Sequence, residues 1–348
     1  MTKTKKYFIK LTPAGYYFFG GENTFNTNRK DKYNQEVTNY FAISQKLPQQ
    51  TALLGLLRHT LLTLYGRLDH SWEEKKPLIG AKGFGLDRLD AGLIKAISPI
   101  CLVNQIDKQK PYAFYVPAGY DEQAYSKETL KYSRSKEPAY INAITPETPE
   151  ITGLDYKEDI SLLWSKHDKP EVRILEKKIF KEVIKVGVDR HEVEDAFYKQ
   201  KLYGLHKNWS FGLWVALDED IDKEKLKTTF MPFGADQGVF KIEFRYDIGS
   251  IFEPKDEGSL KNKLTLLSDT WVEKSLWDKV DFGISGWKSF RFINSKKEKH
   301  YRQVDKSAKY RLLKRGTILY STDMAVVEDE INKHKAMKEI GYNYYKIN

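Results

Sequence analysis

The sequence predicts an α+β protein built from two compact units of split βαβ type with long insertions. Three observations carry this. Apolar residues alternate at period two in Trp209, Phe211, Leu213, Val215, Leu217 and again in Phe240, Ile242, Phe244, Tyr246, the mark of strands with one buried face. A leucine stripe, Leu53, Leu54, Leu57, Leu61 and Leu64, marks a helix. Finally, strand, helix and strand follow one another near the start and again after residue 209. A chain of 348 residues suits two domains at roughly 150 residues each. The expected division is 1–205, with an insertion at about 104–170, and 206–348.

Tyr7-Phe8-Ile9-Lys10-Leu11 reads as the first strand, stopped by Pro13 and Gly15, and residues 26–39 read as a polar loop. Thr51 is the expected N-cap of the leucine helix and Gly66 its stop. Leu93 to Val103 and Tyr112 to Val116 are expected strands, whereas 117–170 shows little periodicity. Charge patterning in Glu171 to Val186 predicts a helix, and His191 to Tyr203 a second. Asp218 to Thr229 fits a turn and a short helix, and Lys263 to Leu267 is a short apolar run. Arg311 to Ser321 reads as a strand, Asp323 to Ile340 as a helix, and a final strand begins at Tyr342.

Composition narrows the function. The net charge is +10, and the window from Lys288 to Arg315 holds eleven basic residues against Glu298 and Asp305, 11 − 2 = +9. Cations concentrated in one segment suit a polyanion. Trp287, Phe290, Phe292, Tyr301 and Tyr310 are interleaved with them. Such rings stack on unpaired bases while the cations neutralise phosphate. The competing reading is a hairpin with a basic outer face and these aromatics in the core, and Phe290-Arg291-Phe292 has that alternation. The single cysteine, Cys101, forms no internal disulfide and reads as inert core. The lack of any apolar run near the ~18 residues of a membrane span predicts a soluble, cytoplasmic protein with no membrane partner.

Several smaller constellations remain. The start of the leucine helix, with Gln50, Thr51 and the cation Arg58, is a candidate phosphate seat; a plain core helix with Arg58 reaching solvent is the alternative. Lys82 and Gly83 lie in Ile79-Gly80-Ala81-Lys82-Gly83-Phe84-Gly85, whose glycines would let backbone approach RNA or form a simple turn. It is neither a P-loop nor a dinucleotide fingerprint. His59 is a candidate base for RNA cleavage but has no second histidine nearby. His191, Glu192, Glu194 and Asp195 lack metal-site spacing and read as a solvated face. No cofactor or metal and no catalytic residue is expected.

The motifs resemble, in order, those of the RAMP superfamily of CRISPR proteins, and specifically the third Cmr subunit (Cas-five group) of type III-B effectors. The resemblance rests on Leu11 to Phe25; Pro48-Gln49-Gln50-Thr51 with Leu54-Gly55-Leu56-Leu57-Arg58; Val186 to Arg190 with Ala196 to Tyr203; Pro232-Phe233-Gly234-Ala235-Asp236; Leu264 to Trp271; Ile284-Ser285-Gly286-Trp287; and Lys314 to Tyr320. Gly15 and Gly20 depart from it, standing where the family often has an acidic and a basic residue. The family's glycine-rich ending is reduced to Gly341-Tyr342-Asn343, where Asn replaces Gly in a left-handed turn.

The resemblance implies two ferredoxin-like (RRM-like) βαββαβ domains with long insertions, and a non-catalytic RNA-binding subunit for antiviral defence. It would hold the repeat-derived 5′ tag of the guide RNA, dock on the large Cas-ten-type subunit and sit beside backbone RAMP subunits. The RNA-binding residues expected are Gln50, Thr51, Arg58, Lys82, Gly83, Trp287, Lys288, Arg291, Arg302, Lys306 and Arg311. The alternative is a metal-independent endoribonuclease that processes repeat RNA, with His59 or a tyrosine acting with lysine and leaving a 2′,3′-cyclic phosphate.

Overall fold

The computed structural model describes residues 3–21, 26–30, 36–39, 41–80, 84, 89–105, 112–120, 132–133, 140–141, 162–165, 173–188, 197–246, 248–252, 262–297 and 302–347. The architecture is mixed α+β, with mostly antiparallel sheets and few helices.

The largest sheet has nine strands. From one edge it runs Arg173–Leu175, Leu162–Ser165, Ala113–Pro117, Cys101–Asn104, Trp209–Asp218, Thr4–Pro13, Val239–Arg245 and Thr229–Pro232, and Ile94–Ile97 also pairs with Trp209–Asp218. Its two central strands are covered on both faces. Tyr7, Ile9 and Leu11 face one core, while Phe8 faces another containing Phe114 and Trp214. Burial on both sides explains why Trp209 to Leu217 is apolar almost without interruption.

Helix α1, Gln50–Leu64, lays Leu53, Leu54, Leu57 and Leu61 into the core that holds Tyr7, Ile9 and Leu11. Each leucine buried there is worth roughly 1.5–3 kcal/mol. The expected stop at Gly66 is present: Gly66 has φ +64°, its N–H donates to Thr63 and that of Arg67 to Leu62, closing a Schellman turn. The expected cap is not. Gln49 is the N-cap, with no side-chain capping bond, and Thr51 lies inside the first turn. Helix α2, Trp72–Ile79, was not foreseen, although Ser71 and Glu74 form its capping box.

A second sheet has the order Phe282–Ile284, Ile318–Tyr320, Lys263–Leu266, Tyr345–Ile347, all antiparallel. Helix α3, Met324–Asn332, packs Val327 and Ile331 against Leu264, Leu266 and Leu319. Asp323 caps it, and the short α4, Lys335–Glu339, follows. In chain order these four strands lie second, third, first, fourth. The same order holds in the large sheet for Thr4–Pro13, Cys101–Asn104, Trp209–Asp218 and Val239–Arg245. In each case one crossover carries α-helix and the other, among the described residues, a 3-10 turn: Lys223–Lys225 in the first and Lys274–Asp278 in the second.

Several sequence expectations change here. A boundary at 205/206 does not coincide with a break in the structure, because Trp209–Asp218 pairs with Thr4–Pro13 over eight register positions, Thr4↔Asp218 to Leu11↔Phe211. Where helices were expected over Glu171 to Val186 and His191 to Tyr203, the described residues form strands Phe180–Val188 and Phe197–Leu205, which pair with each other, and Phe197–Leu205 pairs also with Phe41–Ile43. The supposed loop at 26–39 contains strands Asn26–Lys30 and Glu36–Asn39. Leu93 to Val103 splits around Ser98-Pro99, since proline has no N–H to pair. Arg311 to Ser321 breaks into Tyr310–Leu313 and Ile318–Tyr320 at a turn closed by the Thr317 N–H on the Lys314 carbonyl. Among the described residues, no helix is long and apolar enough to cross a membrane.

Candidate nucleic-acid interface

Trp287–Phe290 pairs antiparallel with Tyr310–Leu313, with Lys288 opposite Leu312, Ser289 opposite Arg311 and Phe290 opposite Tyr310. Alternation sends each set to its own face. Phe290, Phe292, Tyr310 and Leu312 join the main core, where Phe292 and Tyr310 stack nearly parallel at 11°. These three rings are therefore structural, as the core reading expected. Trp287, Arg291, Lys309 and Arg311 are exposed.

Not every cation in the basic window reaches solvent. Asp269 is buried and holds two of them: Lys288 Nζ lies 3.2 Å from its Oδ2, and Arg315 donates from Nε at 3.2 Å and Nη2 at 3.3 Å. The Arg315 backbone N–H donates to it as well. Burial alone would raise the pKa of this carboxyl, but Arg315 and Lys288 outweigh it and hold the group well below the usual aspartate range. Lys288 thus faces inward as an anchor of the hairpin.

Two of the other candidate segments reach the hairpin's root, the glycine-rich loop through Phe84 and the start of α1 through Tyr342. Phe84, from the glycine-rich loop, is buried edge-to-face against Phe292 at 5.4 Å. Tyr342 packs against Phe290 at 5.4 Å, and its hydroxyl lies beside Thr51. Gln50 is only 2% exposed, and its amide donates to the Ser98 carbonyl at 2.9 Å. Arg58 donates to the Asp90 carbonyl at 2.6 Å, and burial lowers its pKa. Gln50 and Arg58 thus tie α1 to neighbouring loops. Lys82 and Gly83 lie outside the described residues, as does the His191 cluster. Arg302 and Lys306 bound a strand, Arg302–Lys306, paired with Ile293–Lys297. That pair is tied to the hairpin by Ser307, whose hydroxyl accepts from the Phe292 N–H while its own N–H donates to the Phe292 carbonyl.

The C-terminal turn locks this root. Gly341 has φ +88° and Asn343 φ +58°, the left-handed pair read from the sequence. Asn343 is fully buried; its Oδ1 accepts from Trp271 N–H at 2.9 Å, and its Nδ2 donates to the carbonyls of Trp271 and Ile331. Sequence reasoning passed over Asp269, Asn343's clamp and Lys309. Only Lys309 had a visible signal, its place in the basic window. His59 is half-buried on α1, and Cys101 is buried, with its thiol pKa raised by desolvation. Among the described residues no three His, Cys, Asp or Glu side chains group to hold a metal.

These features define a class: an α+β protein of antiparallel sheets that presents a braced cationic hairpin. Over residues 9–345 the sequence matches the family described as CRISPR-associated protein (Cas_Cmr3), and the chain belongs to that family. No curated protein matches it. In fold it is similar to a chain of the cryo-EM structure of the Type III-B Cmr-beta bound to cognate target RNA and AMPPnP, with TM-score 0.51 and 12% identity, covering 96% of this chain and 94% of that one. A second similar chain comes from the Type III-B Cmr-beta bound to cognate target RNA, with TM-score 0.50, 12% identity and coverage of 97% and 96%.

Proposed function

We propose that this chain is a non-catalytic, RNA-binding subunit of a type III-B CRISPR effector. It holds the 5′ repeat-derived tag of the guide RNA and docks the large Cas-ten-type subunit beside the backbone RAMP subunits. Each sheet core is a ferredoxin-like unit that retains helix on one of its two crossovers. Membership of the family and likeness in fold to chains from RNA-bound Cmr-beta complexes support the reading.

One observation carries the RNA-binding part: Arg291, Lys309 and Arg311 stand exposed together with Trp287, while Lys288 and Arg315 are consumed by Asp269. Cations left in solvent across the two strands of the hairpin suit phosphates spaced along a single-stranded oligonucleotide. Holding an oligonucleotide this way needs no acid–base pair.

The test is a salt titration with single-stranded repeat-tag RNA. Log K falls by roughly 0.7 per phosphate contact for each decade of salt. Replacing Arg291, Lys309 and Arg311 by alanine should flatten the slope by about 2. An unchanged slope means the phosphates are held elsewhere.

A further inference from the structure

Two tryptophans lie in the open beside this hairpin: Trp277 is 38% exposed and Trp287 47% exposed. Their ring centroids are 5.8 Å apart, with the planes tilted by 53°. Sequence reading saw only Trp287 in the strip, because Trp277 sits ten positions upstream in a different element, the 3-10 turn Lys274–Asp278.

Both indoles are mounted rigidly, so their exposure is built in. Around Trp277, Leu276 is fully buried in the core of the four-stranded sheet, with Leu264, Leu266 and Leu319. Ser275 donates to Glu330 Oε1 at 2.6 Å, and Lys279 reaches Glu330 Oε2 at 2.6 Å. Glu330 itself is fully buried on α3. Its neighbours therefore pin the turn while Trp277 projects from it. Beside Trp287, Lys288 is pinned by Asp269. Opposite Trp287, Leu313 is buried and exchanges both backbone hydrogen bonds with Thr270 at 2.8 Å. A surface held ready loses little freedom when a ligand arrives.

We propose that Trp277 and Trp287 together seat one unpaired RNA base, while Arg311, Lys309 and Arg291 run on from it along the phosphates. This rests on the RNA-binding reading above and adds a base-contacting site to it. Charge decides the occupant. On the hairpin face that Trp287 shares, the exposed charges among the described residues are all positive, while the turn that carries Trp277 exposes one cation and one anion, Lys274 and Asp278; the cationic side suits the phosphates of an oligonucleotide running on from the two rings. Indole is also the best of the natural rings for stacking on a base and tolerates any base sequence.

The experiment uses the full chain and a short single-stranded tag RNA, with Kd measured by anisotropy. A series of the same RNA carries an abasic site at each position in turn. The wild type should show one position at which losing the base weakens binding about tenfold. Trp277→Ala should weaken the intact RNA by a similar factor, remove the sensitivity at that position and leave the salt slope as it was. Trp277→Phe should restore part of the loss, and circular dichroism should show the wild-type fold in both. Equal penalties at every abasic position, or an affinity within twofold of wild type for Trp277→Ala, overturns the base seat. If Trp277→Ala instead weakens binding of another subunit of the complex while RNA affinity holds, the pair is a protein contact and the proposal is wrong. Failure of the RNA-binding reading looks different: the salt slope ignores Arg291, Lys309 and Arg311, or no RNA binds even at low salt.

Discussion

Asp269→Ala should cost about 3–5 kcal/mol of folding stability, because it strands two largely buried cations. Lys288 and Arg315 expose 15% and 17% of their side chains and share this one carboxylate. Without it neither charge is compensated, and the Arg315 backbone N–H also loses its acceptor. The same change should loosen the hairpin, since Lys288 lies within it, and so weaken RNA binding. Chemical denaturation reads the first effect as a lower midpoint. A loss below about 1 kcal/mol would show that the triad does not brace the hairpin.

The triad also sets a pH dependence. The folded pKa of Asp269 lies below its unfolded value of 3.8, so the unfolded chain binds the proton first. Its stabilisation is fully present above the unfolded pKa and is lost as pH falls toward the folded one. Asp269→Asn should therefore flatten the acid limb of the stability curve. An unaltered acid limb would mean that this carboxyl titrates normally.

The second large effect is expected at Gly341. Its φ of +88° disfavours a side chain, and an added Cβ would land on the Gln50 amide nitrogen and 2.5 Å from the Ser98 carbonyl oxygen. Ser98 is backbone there and cannot swing away, so Gly341→Ala combines backbone strain with overpacking, together about 3 kcal/mol or more. Gly55 is the internal control. It lies in mid-α1 with nothing within 4 Å of an added Cβ, and Gly55→Ala should stabilise the chain by roughly 0.5–1 kcal/mol. Thermal melts of the two variants should move in opposite directions. A Gly341→Ala protein that melts with the wild type would contradict the close approach of the C-terminal turn to α1.

Strands were legible where burial imposed a pattern. Phe240 and Ile242 are buried at period two, though the strand ends at Arg245 and leaves Tyr246 exposed, and Trp209 to Leu217, expected to bury one face, is buried on both. Helix α1 was legible from its leucines. The ribbon Phe180–Val188 was misread because Lys181, Glu182 and Lys185 mimic helical charge spacing. In the structure Glu182 instead meets Lys201 across the ribbon at 2.7 Å, a partner no local window contains. The same limit governs the charge count. Asp269 lies 19 residues from Lys288 and 46 from Arg315, so the sequence counted as free surface two cations that folding spends internally. The rings of Phe290 and Phe292 were ambiguous for a related reason. Alternation identifies a buried face, but the partners that cover it, Phe84 and Tyr342, come from opposite ends of the chain.

The most direct test of the central claim is photocrosslinking of the chain to single-stranded tag RNA carrying 4-thiouridine, followed by mapping of the joined peptides. Crosslinks should fall within Trp287 to Arg291 and Lys309 to Arg311. Crosslinks confined to a distant surface, such as the exposed edge strand Thr229–Pro232, would show that the cationic hairpin is not where this protein meets RNA.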